Sequence, residues 1–181
     1  QSEGASVIML LDIPKEEYSI FFETIGDGSS EVTARQLGEV ALRQFNHPAI
    51  IFCSTFLSAE GIAIDGETLM RNIENVVGSQ VNIFGGMAGD DLSFTGSYVF
   101  TNNDATDYGL VALIVDADKI AMQGMAISGW KPMGISRTIT KSEGNLIYTI
   151  DDKPALETYM RFLGGDLSTA DDNFNFFDSI G

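Results

Sequence analysis

The sequence predicts an α/β fold: a mixed, largely central sheet with flanking helices, followed by an antiparallel hairpin region and a further helix. Two observations indicate this fold. Short apolar runs alternate with stretches of helical periodicity up to about residue 90, which is typical of a sheet layered with helices. Beyond that point, strand-like segments follow one another with short connections, which favours antiparallel pairing.

The first elements are predicted from apolar runs and helical spacing. Residues 7–11 and 18–25 are apolar enough to predict two strands, the first of them buried. Between residues 37 and 45, apolar side chains recur three and four residues apart, which predicts an amphipathic helix. Pro48 ends that helix. The all-apolar residues 49–53 then predict a strand covered on both faces.

The clearest helix of the chain precedes a glycine-rich segment. Its apolar face is formed by Leu69, Met70, Ile73, Val76 and Val77. Asp65 is the expected N-cap, and Gly78 is the expected left-handed stop. A strand over residues 81–84 is predicted next, leading directly into a turn that contains Gly85 and Gly86.

The second half of the chain reads mainly as strands. Residues 97–100, 108–116 and 119–130 are strand-like, and the compact turn at 116–119 predicts that the last two pair antiparallel. Residues 135–141 and 146–150 predict a further hairpin. A final helix is expected from Pro154 onward, with Asp152 as its cap.

Charge and composition exclude several classes of protein. The 181 residues carry a formal net charge of −16, which disfavours nucleic acid and anionic membrane surfaces as partners. No apolar run approaches the length of a membrane span. The first residues lack the basic and apolar regions of a signal peptide, so a cytoplasmic location is predicted.

The single cysteine and the single histidine limit the available chemistry. Cys53 lies in an apolar run and is predicted to be a buried structural thiol. His47 is predicted to be a residue at a helix end. With one residue of each type, the chain cannot form an internal disulfide, a site of several histidine ligands or a Ser-His-Asp triad around a histidine other than His47. No metal or other cofactor is therefore predicted.

The strongest candidate site is the glycine segment and the two carboxylates after it. Backbone N–H groups near Gly85 and Gly86 are suited to an anion, such as a ligand carboxylate, although a tight strand exit equally needs small residues. Asp90 and Asp91 are suited to an ammonium group or a hard cation. Alternatively, one of them caps the next segment and the other faces solvent. No Gly-Lys-Ser/Thr follows, so the segment is not a phosphate loop.

A second candidate region combines basic and aromatic residues in an otherwise acidic chain. It contains Trp130, Lys131 and Arg137. Arg137 is suited to a bidentate pair with a carboxylate, and local ion pairing with the abundant acids is the alternative. Several methionines, including Met87 and Met125, are predicted to fill the core rather than to line an adaptable pocket.

Several motifs in a fixed order resemble those of FIST-domain proteins. The motifs are Gly85-Gly86-Met87-Ala88-Gly89-Asp90-Asp91, Tyr98-Val99-Phe100, Ser128-Gly129-Trp130-Lys131-Pro132-Met133-Gly134, Arg137 to Asn145, and Asp151-Asp152-Lys153-Pro154-Ala155-Leu156. The resemblance implies a FIST N-terminal part over residues 1–130 and the beginning of a FIST C-terminal part over 131–181. The family has further elements before residue 7 and after the last helix that are not found here, so the chain is expected to be a fragment, a naturally short form or an incomplete sequence.

The resemblance implies a sensory module of bacterial signal transduction that binds a small molecule such as an amino acid. A signalling output protein is the implied partner, and no enzymatic activity is expected. Two alternatives come from other classes. One is a metal-assisted hydrolase that uses Asp90 and Asp91, and the other is an interaction scaffold without a ligand.

Overall fold

The computed structural model describes residues 6–25, 29–89, 95–127, 131–132, 134–144 and 146–163. The chain divides into two compact units, Gln1–Ala126 and Ile127–Gly181. Each is an assembly of helices and strands, and together they form the mixed α/β architecture that the sequence predicts.

The first unit is built on a four-stranded mixed sheet. Its elements in chain order are a short 3-10 helix Lys15–Glu17, β1 Tyr18–Thr24, α1 Ser30–Gln44, β2 Pro48–Thr55, α2 Gly66–Val77, β3 Ile83–Ala88, β4 Val99–Phe100, β5 Ala105–Thr106 and β6 Gly109–Asp116. The strand order is β1-β6-β2-β3. β2 and β3 are parallel, whereas β6 is antiparallel to both β1 and β2. β4 and β5 form a separate two-stranded ladder.

Both predicted helices of this unit are confirmed, and so are the local signals that end them. The Asp65 side chain accepts a hydrogen bond from the Glu67 amide at 3.0 Å, so it caps α2. Gly78 ends α2 with a φ of 89°. The apolar faces of the helices meet the sheet in one core, where Leu37 and Ile73 have no exposed surface.

The core lies on one face of the sheet. Side chains alternate along a strand, and the core members of β6 are Leu110, Ala112 and Ile114. The intervening side chains of β6 lie on the opposite face, which neither α1 nor α2 covers. The helices and the sheet therefore bury one sheet face and leave the other for different neighbours.

The predicted pairing of residues 108–116 with 119–130 is wrong. β6 is flanked by β1 on one side and β2 on the other, so both of its hydrogen-bonding edges are occupied. Residues 120–127 form no regular secondary structure, and 128–130 lie outside the described residues. The Asp116–Lys119 turn is present, with the Lys119 amide 3.1 Å from the Asp116 carbonyl oxygen, but the chain does not return along β6.

The predicted buried strand over residues 7–11 is also wrong. Val7 and Leu10 are 96% and 90% exposed, and the segment has no strand structure. An apolar run becomes a buried strand only when a sheet edge and a covering layer are present. No described strand pairs with this segment.

The second unit contains the hairpin and the helix that the sequence predicts. β7 Ile139–Glu143 pairs antiparallel with β8 Leu146–Ile150, which pairs with the short β9 Lys153–Pro154, and α3 Ala155–Leu163 follows. Asp151 and Asp152 have φ values of 50° and 61°. They form the tight turn between β8 and β9, so Asp152 is a turn residue and the predicted cap is not where the helix begins.

No helix formed by the described residues is both long enough and apolar enough to span a bilayer.

Candidate functional site

Gly85 and Gly86 lie inside a strand, whereas the sequence predicted a turn. β3 continues from Ile83 through both glycines to Ala88, in parallel register with β2. The prediction failed because glycine permits a turn without requiring one. The two glycines therefore belong to the sheet, and any turn towards Asp90 begins after Ala88.

The two glycines meet different surroundings. Gly85 has a φ of 153°, and a Cβ built there would collide with the carbonyl oxygen of Phe52 on β2. A Cβ built at Gly86 would instead have open space around it to a distance of 4 Å. Gly85 is thus required by the close approach of two backbones, while Gly86 leaves a free volume on the sheet face that the helices do not cover.

β3 is an edge strand of the described sheet, which exposes part of its backbone. The Ile50 amide donates to the Asn82 carbonyl oxygen at 2.9 Å, and the Phe56 amide donates to that of Ala88 at 3.3 Å. In a parallel ladder, alternate residues of a strand share the same neighbour. The backbone groups of Gly85 and Met87 are therefore directed to the open edge, and those of Gly86 are directed to β2.

An apolar cavity of about 820 Å³ borders this edge. Its walls are the uncovered face of β2 and β6, the edge of β3, the start of α2, and two segments without regular structure, 9–13 and 120–126. We call it the sheet cavity. Gly85 and Gly86 both line it. Its volume lies within the range of small-molecule sites, about 300–1,000 Å³.

Methionine is the characteristic residue of the sheet cavity. Five of the seven methionines of the chain line it, namely Met9, Met70, Met87, Met122 and Met125. Met87 and Met125 are 36% and 81% exposed, so the prediction that they fill the core is wrong. Thioether side chains are unbranched and adapt to ligands of different shapes.

Two contacts hold the segment 120–126 beside β3. The Asn82 side-chain amide donates to the Met122 carbonyl oxygen at 3.3 Å. A Cβ built at Gly124 would come within 2.6 Å of the Phe84 ring, so the segment lies directly against this ring. The other end of β3 lies against α2. A Cβ built at Gly66, the first residue of α2, would have the Met87 sulfur as its nearest atom.

Cys53 is exposed, which contradicts the predicted buried thiol. It alternates with the core residue Phe52 on β2 and lies opposite Gly86 on β3 and Val111 on β6. The apolar run was interpreted as a strand covered on both faces, but helices cover only one. The thiol is therefore on the open face, next to the free volume at Gly86.

The remaining predicted site residues lie outside the described residues or in the second unit. Asp90, Asp91 and Trp130 lie outside the described residues. Lys131 and Arg137 belong to the second unit, where both are exposed. Their assignment to one ligand site with Gly85 and Gly86 stays a prediction.

Arg137 is held by an ion pair within its own unit. Its guanidinium donates to Asp151 at 2.7 Å and lies 4.9 Å from the centroid of the Phe162 ring. The Thr138 amide also donates to Asp151, at 2.9 Å. This amide hydrogen bond, and then Arg137, hold the pKa of the Asp151 carboxyl below its usual range. Arg137 is thus fixed in place by local ion pairing, which was the alternative to a pair with a ligand carboxylate.

His47 has a partner that the sequence did not suggest. Its Nδ1 lies 2.9 Å from an Asp118 carboxylate oxygen, in the turn after β6. The hydrogen bond and the charge of Asp118 raise the pKa of His47 above its ordinary value. The pair connects the start of β2 to the end of β6.

Metal ligands do not cluster in the part of the chain that the structure describes. No group of three His, Cys, Asp or Glu side chains within the described ranges is close enough to share an ion. Asp90 and Asp91 lie outside those ranges.

The sequence missed the sheet cavity itself. Its lining comes from strands, a helix start and irregular segments far apart in the chain, and no local period connects them. One signal was present: three of its methionines lie close to each other or next to glycine, at 87, 122 and 125, outside any helical stripe.

Comparison with known proteins identifies the family. A relative from Methanocaldococcus jannaschii, named "Uncharacterized protein MJ1623", is 30% identical over 95 residues, which is 51% of this chain and 18% of the relative. The chain thus spans about a fifth of that protein. No solved structure matches.

The family model of the FIST N domain matches residues 1–153. That range extends past the predicted join at 130, and the assignment of 131–181 to a C-terminal part stays a prediction. Since the match covers most of the chain, the protein belongs to the FIST family of sensory domains in signal transduction.

Proposed function

We propose that this chain is a cytoplasmic sensory module whose sheet cavity binds an amino acid or a related metabolite with an apolar side chain. One observation carries the proposal. A strand edge, whose backbone groups at Gly85 and Met87 pair with no strand formed by the described residues, borders a cavity lined by methionine. Apolar walls with a few polar groups at one side are typical of small-molecule sites.

Each part of the ligand has a counterpart in this arrangement. The apolar side chain contacts the methionines, among them Met70 and Met122. The carboxylate accepts a hydrogen bond from the edge amide of Gly85 or Met87, as extended ligands do at sheet edges. Asp90 or Asp91, which follow β3 in the sequence, receive the ammonium group. This last role rests on sequence position alone.

The signalling role follows from the same contacts. A ligand shifts a protein between two states only by the difference in its affinity for them. Among the described residues, the segment 120–126 contacts Asn82 and the Phe84 ring, and we infer that a ligand in the cavity shifts the position of this segment. A signalling output protein reads that position. The module binds its ligand without converting it.

A ligand screen with two variants of one residue tests the site. Thermal unfolding is measured with the common amino acids and their α-keto acids. A ligand at a hundredfold excess over Kd adds about 2.7 kcal/mol of stability, which raises the midpoint by roughly 5–10 °C at this chain length. Gly86→Leu is expected to abolish the rise, because its side chain enters the free volume of the cavity.

Gly86→Ala is the matched control, and it is expected to fold like the wild type and to bind more strongly than Gly86→Leu. If no compound raises the midpoint, the amino-acid proposal is wrong. If a compound binds and Gly86→Leu binds it equally well, the ligand site lies elsewhere in the protein.

The role of the aspartates is tested with ligand pairs. Asp90→Asn or Asp91→Asn is expected to weaken the binding of an amino acid and to leave the binding of its des-amino analogue unchanged, because only the amino acid carries an ammonium group. Asp104→Asn, an exposed acid that does not line the cavity, serves as the control. Mass spectrometry of the ligand after incubation is expected to return it unchanged. Conversion of the ligand, or bound divalent metal, would support the hydrolase instead.

A further inference from the structure

The second unit contains a cavity with a different chemistry. Its volume is about 380 Å³, and it is lined by Arg137, Lys153, Glu157, Thr158, Arg161 and Phe162. Three of these six side chains are cations. The chain as a whole has 26 acidic and 10 basic residues, yet half of the basic ones lie between residues 131 and 161. We call this the basic cavity.

The local backbone assembles the three cations. Arg137 precedes β7, Lys153 begins β9, and Arg161 lies in the last turn of α3. The tight turn at Asp151 and Asp152 reverses the chain between β8 and β9. That reversal brings the start of α3, with Thr158 one turn before Arg161, to the hairpin.

Arg137 is oriented before any ligand arrives. One of its N–H groups donates to Asp151, and its guanidinium lies over the Phe162 ring at 4.9 Å. A guanidinium has five N–H donors in one plane, so this pair leaves donors for a second acceptor. A side chain fixed by an ion pair and a ring loses less freedom on binding than a free one.

Lys153 and Arg161 are not held by an ion pair in the same way, although the charge of Lys153 also acts on the Asp151 carboxylate. Within residues 131–132, 134–144 and 146–163, neither forms an ion pair. Glu157 is the single acid that lines the cavity. The lining therefore has an excess of positive charge, and the nearly buried Thr158 adds a hydroxyl that donates or accepts. Cations gathered in a concave site concentrate anions there.

We propose that the basic cavity binds the oxyanion group of a small dianionic metabolite, a phosphate or a dicarboxylate. Arg137 and Arg161 present their planar guanidinium groups to the oxygens, and Lys153 adds a point charge. The Phe162 ring contacts the rest of the ligand. This site lies in the second unit and does not depend on the proposed ligand of the sheet cavity.

Calorimetric titration of the full chain at low ionic strength tests the proposal with inorganic phosphate and with succinate. Saturable binding is expected for at least one of them, and the arm that saturates identifies the class. Sodium chloride at the same ionic strength is expected to give no saturation. Arg161→Gln and Lys153→Gln are expected to weaken binding about tenfold each.

Lys141→Gln is the matched control. It removes the same charge from the same unit, but Lys141 lies over the Tyr148 ring and does not line the cavity. Its affinity is expected to stay within twofold of the wild type. Two results would overturn the proposal: no saturable binding of either dianion, or an equal loss in Lys141→Gln and Arg161→Gln, which would indicate general charge attraction. Circular dichroism of each variant confirms that it is folded.

Discussion

Gly85 and Phe52 are Cα partners across the parallel strands β3 and β2, and a side-chain carbon at Gly85 would collide with the Phe52 carbonyl oxygen. Gly86, the next residue, has open space instead. One strand thus contains two adjacent glycines with opposite structural requirements: Gly85 is needed for the close approach of β2 and β3, and Gly86 is not.

Gly85→Ala is expected to destabilise the protein by about 1–3 kcal/mol, because the new carbon requires two paired backbones to separate and because its φ is unfavourable for other residues. Gly86→Ala is expected to change stability by less than about 0.5 kcal/mol. Urea unfolding of both variants measures the difference. Equal midpoints would show that β2 and β3 adjust freely at this position.

The ion pair between His47 and Asp118 is expected to make stability depend on pH. The folded pKa of His47 is raised above its ordinary value of 6.5, so the stabilisation is fully present below pH 6.5 and is lost as the pH rises through the folded pKa. A double-mutant cycle with His47→Gln and Asp118→Asn measures the coupling. The coupling is expected to be larger at pH 5.5 than at pH 9, and a coupling independent of pH would contradict an ionic contribution.

Asp65→Ala is expected to lower the free energy of unfolding by about 0.5–2 kcal/mol, because it removes the N-cap of α2. The carboxylate accepts from the Glu67 amide at 3.0 Å and from the Thr68 hydroxyl at 2.6 Å. Asp65→Asn keeps an acceptor oxygen and is expected to lose less. Chemical denaturation ranks the two variants, and the reverse order would exclude capping as the main role of this side chain.

Neighbouring hydroxyls on β2 are expected to respond in opposite ways. The buried Ser54 hydroxyl has no hydrogen-bond partner among the described residues, so Ser54→Ala is expected to leave stability unchanged or to raise it by up to about 1 kcal/mol. The Thr55 hydroxyl accepts from the Gly109 amide at 3.1 Å. Thr55→Val is expected to cost about 1–3 kcal/mol. Thermal midpoints provide the comparison, and a clear loss in Ser54→Ala would indicate an ordered partner.

Local chemistry explains what the sequence predicted well. The ends of α2 follow from Asp65 and Gly78, and the β7–β8 hairpin follows from two strands joined by a short polar link. These features depend on neighbours within a few residues.

The failures share a different cause. The partner of β6, the exposure of residues 7–11 and the face of Cys53 all depend on which distant segment covers a strand. Such choices are made between elements separated by tens of residues, and a period along one segment carries no information about them. The sheet cavity and the basic cavity were not predicted for the same reason, since each is lined by residues from separate segments of the chain.

The position of β6 also has a consequence for the order of events during synthesis. β1 and β2 never pair with each other, because β6 lies between them and supplies the hydrogen bonds of both. A ribosome that has released residues 18–88 has therefore made three of the four strands without β6, which joins β1 to β2. The sheet can close only after Asp116 has left the exit tunnel, so until then the parallel strand β3 is the one described neighbour with which β2 can pair.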